Sequence, residues 1–304
     1  MDPHPRLLLI GKNGQVGHDI LPLLESMSDV TAVDRSSLNL AVPDDIQRCV
    51  RSLRPEIIVN AAAYTAVDKA EAEPEVARAI NATGPQVLAQ EARAAGSILI
   101  HYSTDYVFDG TKPDRYVETD PMCPLEVYGN TKAEGEEAIR NSGCRHLIFR
   151  TSWVFSNRGN NFLLTMLRLA RERDQLRIVN DQMGAPTSSE SLARATVEVL
   201  KSVRRPERAE SLFGTYHMAA CGETSWFGFA SEIFRQASMH LSLRIPKLHA
   251  ITTSEYPTPA KRPLNSRLNC EKLKLSFGVT MPTWEECLTS VITTLSSAEC
   301  VRGV

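Results

Sequence analysis

The sequence predicts an α/β architecture, a doubly wound parallel sheet with a smaller C-terminal substrate-binding lobe closing over it. Three observations carry the prediction. Short apolar, β-branched runs recur through the first half of the chain, stretches with helical apolar spacing separate them, and a glycine-rich loop follows the first run directly. Strand, helix, strand in repetition requires crossover connections, which make the strands parallel. Such strands are covered on both faces, so they read as continuous apolar runs and not as an alternation.

RLLLI (6–10) is the first strand. Gly11-Lys12-Asn13-Gly14-Gln15-Val16-Gly17 follows it and opens a helix marked by Ile20, Leu23 and Leu24. The spacing G-x-x-G-x-x-G is one residue longer at its start than G-x-G-x-x-G, but it serves the same physical need. Glycine permits the tight turn, lets the backbone approach a pyrophosphate and allows close strand–helix contact, while the helix N-terminus faces the anion. A surface turn ahead of a helix would also use glycine. Its placement directly after the first strand is what points to a dinucleotide and to a Rossmann-like sheet. VTAV (30–33) is the second strand and ends at Asp34 and Arg35. The acid can accept from adenosine ribose hydroxyls, which favours NADH. Arg35, with Lys12, offers a cation to a 2′-phosphate, which favours NADPH. The cofactor expected is therefore NADPH or NADH, and a solvated strand end is the alternative reading of this pair.

EIIVNA (56–61), ILIHYS (98–103) and HLIFRTS (146–152) complete the strand series, with a helix through Val87-Leu88 to Ala95 before the fourth strand. Beyond residue 156 the texture changes. Phe162 to Arg173 and Ser189 to Val203 carry helical spacing, and Pro186, Pro206, Pro246, Pro257, Pro259 and Pro263 punctuate the rest. The expected division is a dinucleotide-binding domain over 1–156 and a smaller lobe over 157–304, with the chain threading between them.

The chain's 304 residues allow one large domain or two modest ones. Lys plus Arg number 34 against 36 for Asp plus Glu, a net charge of −2, and no basic excess or stripe points to an electrostatic nucleic-acid binder. The seven cysteines are an odd set, widely spread, with no C-x-x-C pair, and they read as reduced thiols. No stretch reaches the about 18 apolar residues a membrane span needs. No signal peptide precedes the first strand, and a cytoplasmic protein is expected. His18, His101, His146, His217, His240 and His249 show no ligand spacing and read as structural.

Tyr128 and Lys132 stand four residues apart, which on a helix places a phenol and an ammonium on one face. Upstream, the fourth strand ends in Tyr102-Ser103-Thr104-Asp105. Hydroxyl, tyrosine and lysine together form the constellation of short-chain dehydrogenase/reductases. Hydride reduction of a ketone builds negative charge on the carbonyl oxygen, which needs a proton donor within hydrogen-bond reach. Lys132, together with the positive charge of the oxidised nicotinamide, is expected to lower the pKa of Tyr128 toward working pH, and Lys132 to contact the nicotinamide ribose. Thr104 is expected to donate to the oxygen where charge develops. A tyrosine and a lysine on the surface of an amphipathic helix are the alternative reading.

Taken together, the chain resembles the dTDP-4-dehydrorhamnose reductase family, extended short-chain reductases that make dTDP-L-rhamnose. The resemblance rests on 11–17, RPEIIVNAAAYTAVDKAEAE (54–73), HYSTDYVFD (101–109), YGNTKAE (128–134), FRTSWV (149–154), NNFLLTMLR (160–168), NDQMGAPT (180–187) and YPTPAKRPLNSRL (256–268). It implies Tyr128 as proton donor, Lys132 as its cofactor-contacting partner, and Thr104 as the residue tuning the reacting carbonyl. It further implies cofactor contacts at Ala63, Tyr64, Thr65 and Tyr102, with Asp34, Asn39 and Leu40 around the adenosine. Thr104, Asp105 and Trp153 are implied to face the sugar nucleotide. The C-terminal lobe should hold the dTDP portion, with Arg262 and Asn265 as candidates for the diphosphate. Some members carry Mg²⁺ at a dimer interface, and Glu190 matches one such position; an exposed glutamate at a helix start is the alternative. A homodimer is implied as well. Two other readings stay open: a reductase of another dTDP-4-keto-6-deoxysugar, and a non-catalytic subunit resembling the regulatory subunit of methionine adenosyltransferase.

Overall fold

The computed structural model describes residues 4–204, 209–240, 243 and 245–302; Pro206 lies outside them. Six strands form the main sheet: β1 (Arg6–Ile10), β2 (Asp29–Val33), β3 (Ile57–Asn60), β4 (Ile98–Thr104), β5 (Arg145–Thr151) and β6 (Gly214–His217). Their order is β6-β5-β4-β3-β1-β2 and every pairing is parallel. The first five occupy the predicted runs to within a residue or two.

Strand periodicity divides the apolar runs between two cores. Leu7 and Leu9 face one side, where they meet Ile20 and Leu24 of α1 (Gln15–Glu25). Leu8 and Ile10 face the other, against Ile46 and Val50 of α2 (Pro43–Leu53), Leu88 and Ala92 of α3 (Gly84–Ala95) and Ile139 of α4 (Val127–Ser142). Helices on both faces make the sheet doubly wound. From β1 the chain winds to one side for β2 and then crosses to the other for β3. That reversal opens a crevice at the carboxyl ends of β1 and β3, where open α/β sheets bind ligands.

The smaller lobe gathers α5 (Phe162–Glu172), α7 (Trp226–His240) and α8 (Trp284–Arg302) around Phe155, Leu163, Phe229 and Leu288. A two-stranded parallel ribbon, Gln175–Val179 with Lys247–Ile251, edges it. Two elements beyond residue 156 return to the first lobe. The helix α6 (Ser189–Val203) buries Leu192 and Val199 in the same core as α1, and β6 pairs with β5. Neither β6, α7 nor α8 was singled out in the sequence. The four residues of β6, GTYH, hold a single large apolar side chain that enters the core, Tyr216, so they make no run. Among the described residues no helix is long and apolar enough to cross a membrane.

Candidate active site

Gly11 leaves β1 at φ +90, in the left-handed region, and its N–H bonds the carbonyl of Val33 at 2.9 Å. A Cβ at Gly11 would lie 2.9 Å from the backbone nitrogen of Ala62, and one at Gly17 would lie 2.0 Å from the carbonyl oxygen of Gly11. The loop is thus pressed between β3 and its own helix, which only glycine allows. Gly14 caps α1 without a side chain, and no acid occupies the first turn. The helix N-terminus therefore presents bare amides to the crevice, a cradle that fits a pyrophosphate.

That crevice is a cleft of about 720 Å³. Of the residues expected at the cofactor, Gly11, Asn13, Gly14, Gln15, Val16, Asp34, Arg35, Ala63, Thr65, Tyr102, Tyr128 and Lys132 line it. Asp34 accepts from Ser36 N at 3.0 Å, Ser36 Oγ at 2.6 Å and Asn13 Nδ2 at 2.9 Å, with Lys12 Nζ at 3.8 Å. The Ser36 bonds hold its carboxyl below the usual range. Four expected residues stand away from the cleft. Gly17 packs beneath Gly11, Leu40 is in the core with Ile46, Asn39 accepts from Ala41 N at 3.1 Å, and the Tyr64 phenol donates to Glu73 at 2.9 Å. Ser36, Ser103, Thr151, Val154, Gly159 and Asn160 line it without having been foreseen. Ser36 had a legible signal, since a serine two residues after a strand-end aspartate can close an Asx-type turn on it. Gln15 also reaches the second lobe, accepting from Ser156 Oγ and Asn161 Nδ2 at 2.9 Å each.

Tyr128 and Lys132 lie one turn apart on α4, whose first turn is capped by Glu126 accepting from Gly129 N at 2.8 Å. A Cβ at Gly135 would lie 2.1 Å from the carbonyl oxygen of Asn81, so glycine lets α4 sit hard against the turn preceding α3. Lys132 is 1% exposed and donates to the carbonyl of Tyr102 at 2.6 Å. Burial lowers its pKa to about 8, opposed by Glu136. On Tyr128 the chain's own groups act in the opposite direction to that expected with a bound nicotinamide. Burial pushes the phenol up, a hydrogen bond with Thr104 opposes this, and Asp105 and Glu126 add to it. The phenol therefore holds its proton at neutral pH. Thr104 Oγ1 donates to Asp105 Oδ1 at 2.9 Å and accepts from Tyr106 N at 3.1 Å. Asp105 is fully enclosed and raised to about 6 by burial, against hydroxyl bonds from Ser266, Ser152 and Thr104.

A larger cavity of about 1140 Å³ opens between the lobes, lined by Val67, Asp68 and Tyr106 on one side and Phe162, Trp226 and Arg262 on the other. The Tyr106 ring lies 6.1 Å from that of Tyr128, so the two cavities meet at the phenol. Trp153 adopts φ +47 and stacks on Trp226 at 3.6 Å, 7° from parallel. A Cβ at Gly184 would meet its ring at 2.5 Å. Arg262 lines this cavity but is committed to Asp68, at 2.8 and 2.9 Å, and to the carbonyl of Ala260 at 2.7 Å. Asn265 does not reach it. Its Nδ2 is spent on the carbonyls of Lys112 and Asp114, at 2.6 and 2.9 Å, and its Oδ1 on Arg267. Asn265 thus fixes a loop. Glu190 likewise accepts from Arg194 at 2.9 Å and Ser290 at 2.9 Å. Among the described residues of the single chain no group of three or more His, Cys, Asp or Glu is gathered that could hold a metal.

Comparison with known proteins gives this geometry a family. Residues 5–297 match the family model described as RmlD substrate binding domain. The dTDP-4-dehydrorhamnose reductase of Escherichia coli (strain K12) is 47% identical over 285 residues, covering 92% of this chain and 94% of its own length. That of Burkholderia thailandensis is 45% identical over 284 residues, covering 92% and 95%. Among solved structures, the dTDP-4-dehydrorhamnose reductase of Bacillus anthracis in complex with NADP is similar at TM-score 0.88 and 34% identity, covering 96% of this chain and 99% of that one. A Clostridium acetobutylicum ortholog matches at TM-score 0.88 and 36% identity, covering 95% and 99%. With a phenol, a hydroxyl and an amine gathered where a dinucleotide crevice meets an interlobe cavity, and with relatives matched over nearly their full length, this chain belongs to the dTDP-4-dehydrorhamnose reductase family.

Proposed function

We propose that this protein catalyses the last step of dTDP-L-rhamnose formation, the reduction of dTDP-4-dehydro-β-L-rhamnose at its C4 carbonyl with NADPH or NADH. The carrying observation is the Tyr128–Lys132 pair lining a cleft fitted to a dinucleotide, with the Tyr106 ring 6.1 Å from Tyr128 lining a cavity large enough for a sugar nucleotide. The nicotinamide, when bound, supplies the hydride. The chain's own residues do the rest. The amides of Gly14 to Val16 and the Asp34 carboxylate hold the pyrophosphate and adenosine ends, and Lys132 holds the nicotinamide ribose. Tyr128, half-buried and protonated, gives its proton to the carbonyl oxygen as charge builds there. Thr104 steadies that oxygen and orients the phenol. Asp105 and Trp153 border the sugar, and Arg262 meets the diphosphate.

In this reading the dinucleotide lies on the first lobe, which 1–156 forms with α6 and β6, and the sugar nucleotide lies on the second. We propose a cytoplasmic homodimer, on the resemblance and on the unpaired cysteines; sedimentation of the purified protein tests the dimer. The catalytic test is Tyr128→Phe. Loss of turnover by orders of magnitude with cofactor affinity kept is expected; unchanged turnover with the rhamnose precursor refutes the assignment. A panel of other dTDP-4-keto-6-deoxysugars compared by kcat/KM tests the substrate.

A further inference from the structure

Gln15 opens α1 and lines the smaller cleft, yet its side chain is held from the second lobe. Asn161, 9% exposed, caps α5 by accepting from Leu164 N at 3.0 Å through Oδ1. A backbone N–H can only donate, so Oδ1 is fixed there and Nδ2 is the opposite end of the amide. Nδ2 meets three oxygens, the carbonyls of Ser156 and Arg158 at 3.0 and 2.9 Å and Gln15 Oε1 at 2.9 Å. Ser156, 2% exposed, shares its hydroxyl proton between the same Oε1 and the carbonyl of Arg158, 2.9 Å from each. Turning the Gln15 amide over would set its NH2 against the NH2 of Asn161, so its orientation is settled as well. Gly159, at φ +72, lays the same loop on Gln15, and a Cβ there would lie 3.4 Å from Gln15 Cγ. With its oxygen spent, Gln15 keeps an NH2 that has no hydrogen-bond partner among the described residues, on a half-buried side chain of the cleft wall.

We propose that Ser156 and Asn161 are positioning residues for cofactor binding: they hold the Gln15 amide with its NH2 turned to the cleft, where it donates to the pyrophosphate of the dinucleotide. The bare amides of the α1 N-terminus serve that same group, and a side-chain donor on the first residue of the helix adds a bond to a charged oxygen. Both ends of the Gln15 amide are then used, the acceptor on the second lobe and the donor on the ligand. A glutamate would have no donor for the phosphate, and a lysine no acceptor for Asn161. Asn161 is also the cap of α5, whose Phe162, Thr165 and Met166 line the interlobe cavity. The lobe assigned to the sugar nucleotide thereby also contributes to dinucleotide affinity.

The inference rests on the cleft holding a dinucleotide, as the proposed function requires, and its test reads binding, not turnover. Isothermal titration calorimetry gives the Kd of the full chain for NADP⁺ or NAD⁺, whichever the wild type binds more tightly. The same titration with ADP-ribose uses a ligand that keeps the pyrophosphate and lacks the nicotinamide. Gln15→Met, close in length and without polar hydrogens, should weaken both ligands alike, by about tenfold. Asn161→Ser keeps a good helix cap but loses the NH2 that fixes Gln15. It should weaken both ligands severalfold in the wild-type background and have no effect in Gln15→Met, where no amide remains to be oriented. A merely structural role for Asn161 would weaken the two backgrounds equally. Should Gln15→Met not fold, Gln15→Glu takes its place in the same cycle. It still accepts from Ser156 and Asn161 but sets an anion where the NH2 stood, and it should weaken binding by more than about tenfold. An unchanged Kd in Gln15→Met or Gln15→Glu, an equal effect of Asn161→Ser in both backgrounds, or a wild type that binds neither dinucleotide overturns the proposal. If the chain bound dinucleotide with the stated responses but did not reduce the rhamnose precursor, the proposed function would fail and this inference would stand.

Discussion

At the scale of single residues, the site separates two demands on acidity. Reduction needs Tyr128 as an acid, and burial keeps it one. Its hydroxyl partner is Thr104, so Thr104→Val should lower kcat about 10- to 100-fold, toward the loss seen when one oxyanion donor is removed. Following NAD(P)H absorbance in the steady state checks this, and an unchanged kcat would leave Thr104 no part in the chemistry. Asp105 makes a separate prediction through stability. Its folded pKa is about 6 against an ordinary 3.8, raised chiefly by burial. The folded state therefore binds its proton more tightly than the unfolded chain. The associated stability is complete below about pH 4 and is lost as pH rises through 6, on the order of 3 kcal/mol in all for a shift of this size. Asp105→Asn lacks that titration. The Tm of Asp105→Asn minus that of wild type should climb between pH 4 and 6 and then level, whatever its sign at either end. A flat difference across that range contradicts the raised carboxyl.

At the scale of elements, α4 shows why its position matters more than its propensity. Gly135 costs the helix roughly 1 kcal/mol against alanine. Yet a Cβ there would lie 2.1 Å from a backbone oxygen of Asn81, and a backbone cannot swing aside as a flexible side chain can. Overpacking of this kind costs about 1–3 kcal/mol, so the clash wins. Gly135→Ala should lower Tm despite the better helix former, and kcat should fall with it because Tyr128 and Lys132 ride on the same helix. Differential scanning calorimetry beside the steady-state assay tests both; a raised Tm would mean the contact relaxes freely. Elements of this kind were only partly legible in the sequence. Parallel strands covered on both faces announce themselves as apolar runs, and β1 to β5 were read from them. The glycine loop and the Tyr128/Lys132 spacing were legible because each motif is local. The five-residue π-turn at Ala79–Thr83, which receives Gly135, and the short edge strand β6 were not, because both are defined by partners far along the chain. The same holds for the buried contact of Asn60 with His101 at 3.1 Å, which exists through the register of β3 with β4.

At the scale of the whole molecule, the question is how the two lobes meet over the cleft. Arg262, about 17% exposed, joins the C-terminal loop to Asp68 of the first lobe through two parallel bonds at 2.8 and 2.9 Å. Those bonds hold the Asp68 carboxyl below its usual range. The sequence could place Arg262 near a diphosphate but not its partner, which lies 194 residues away. A guanidinium forked onto one carboxylate has few donors left for a phosphate. Asp68 also lines the same cavity and repels an anion arriving there. On both counts Asp68 competes with the substrate for Arg262. Neutralising it by Asp68→Asn should lower KM for the sugar nucleotide severalfold with kcat nearly unchanged, the signature of altered ground-state binding. Arg262→Gln should do the reverse, raising KM about tenfold or more through the lost charged pair with the diphosphate. Added salt should narrow the gap between wild type and Asp68→Asn, since part of the competition is screened charge. If both substitutions raise KM alike, Asp68 serves to aim the guanidinium and not to compete for it, and the lobes are latched open to substrate from the start.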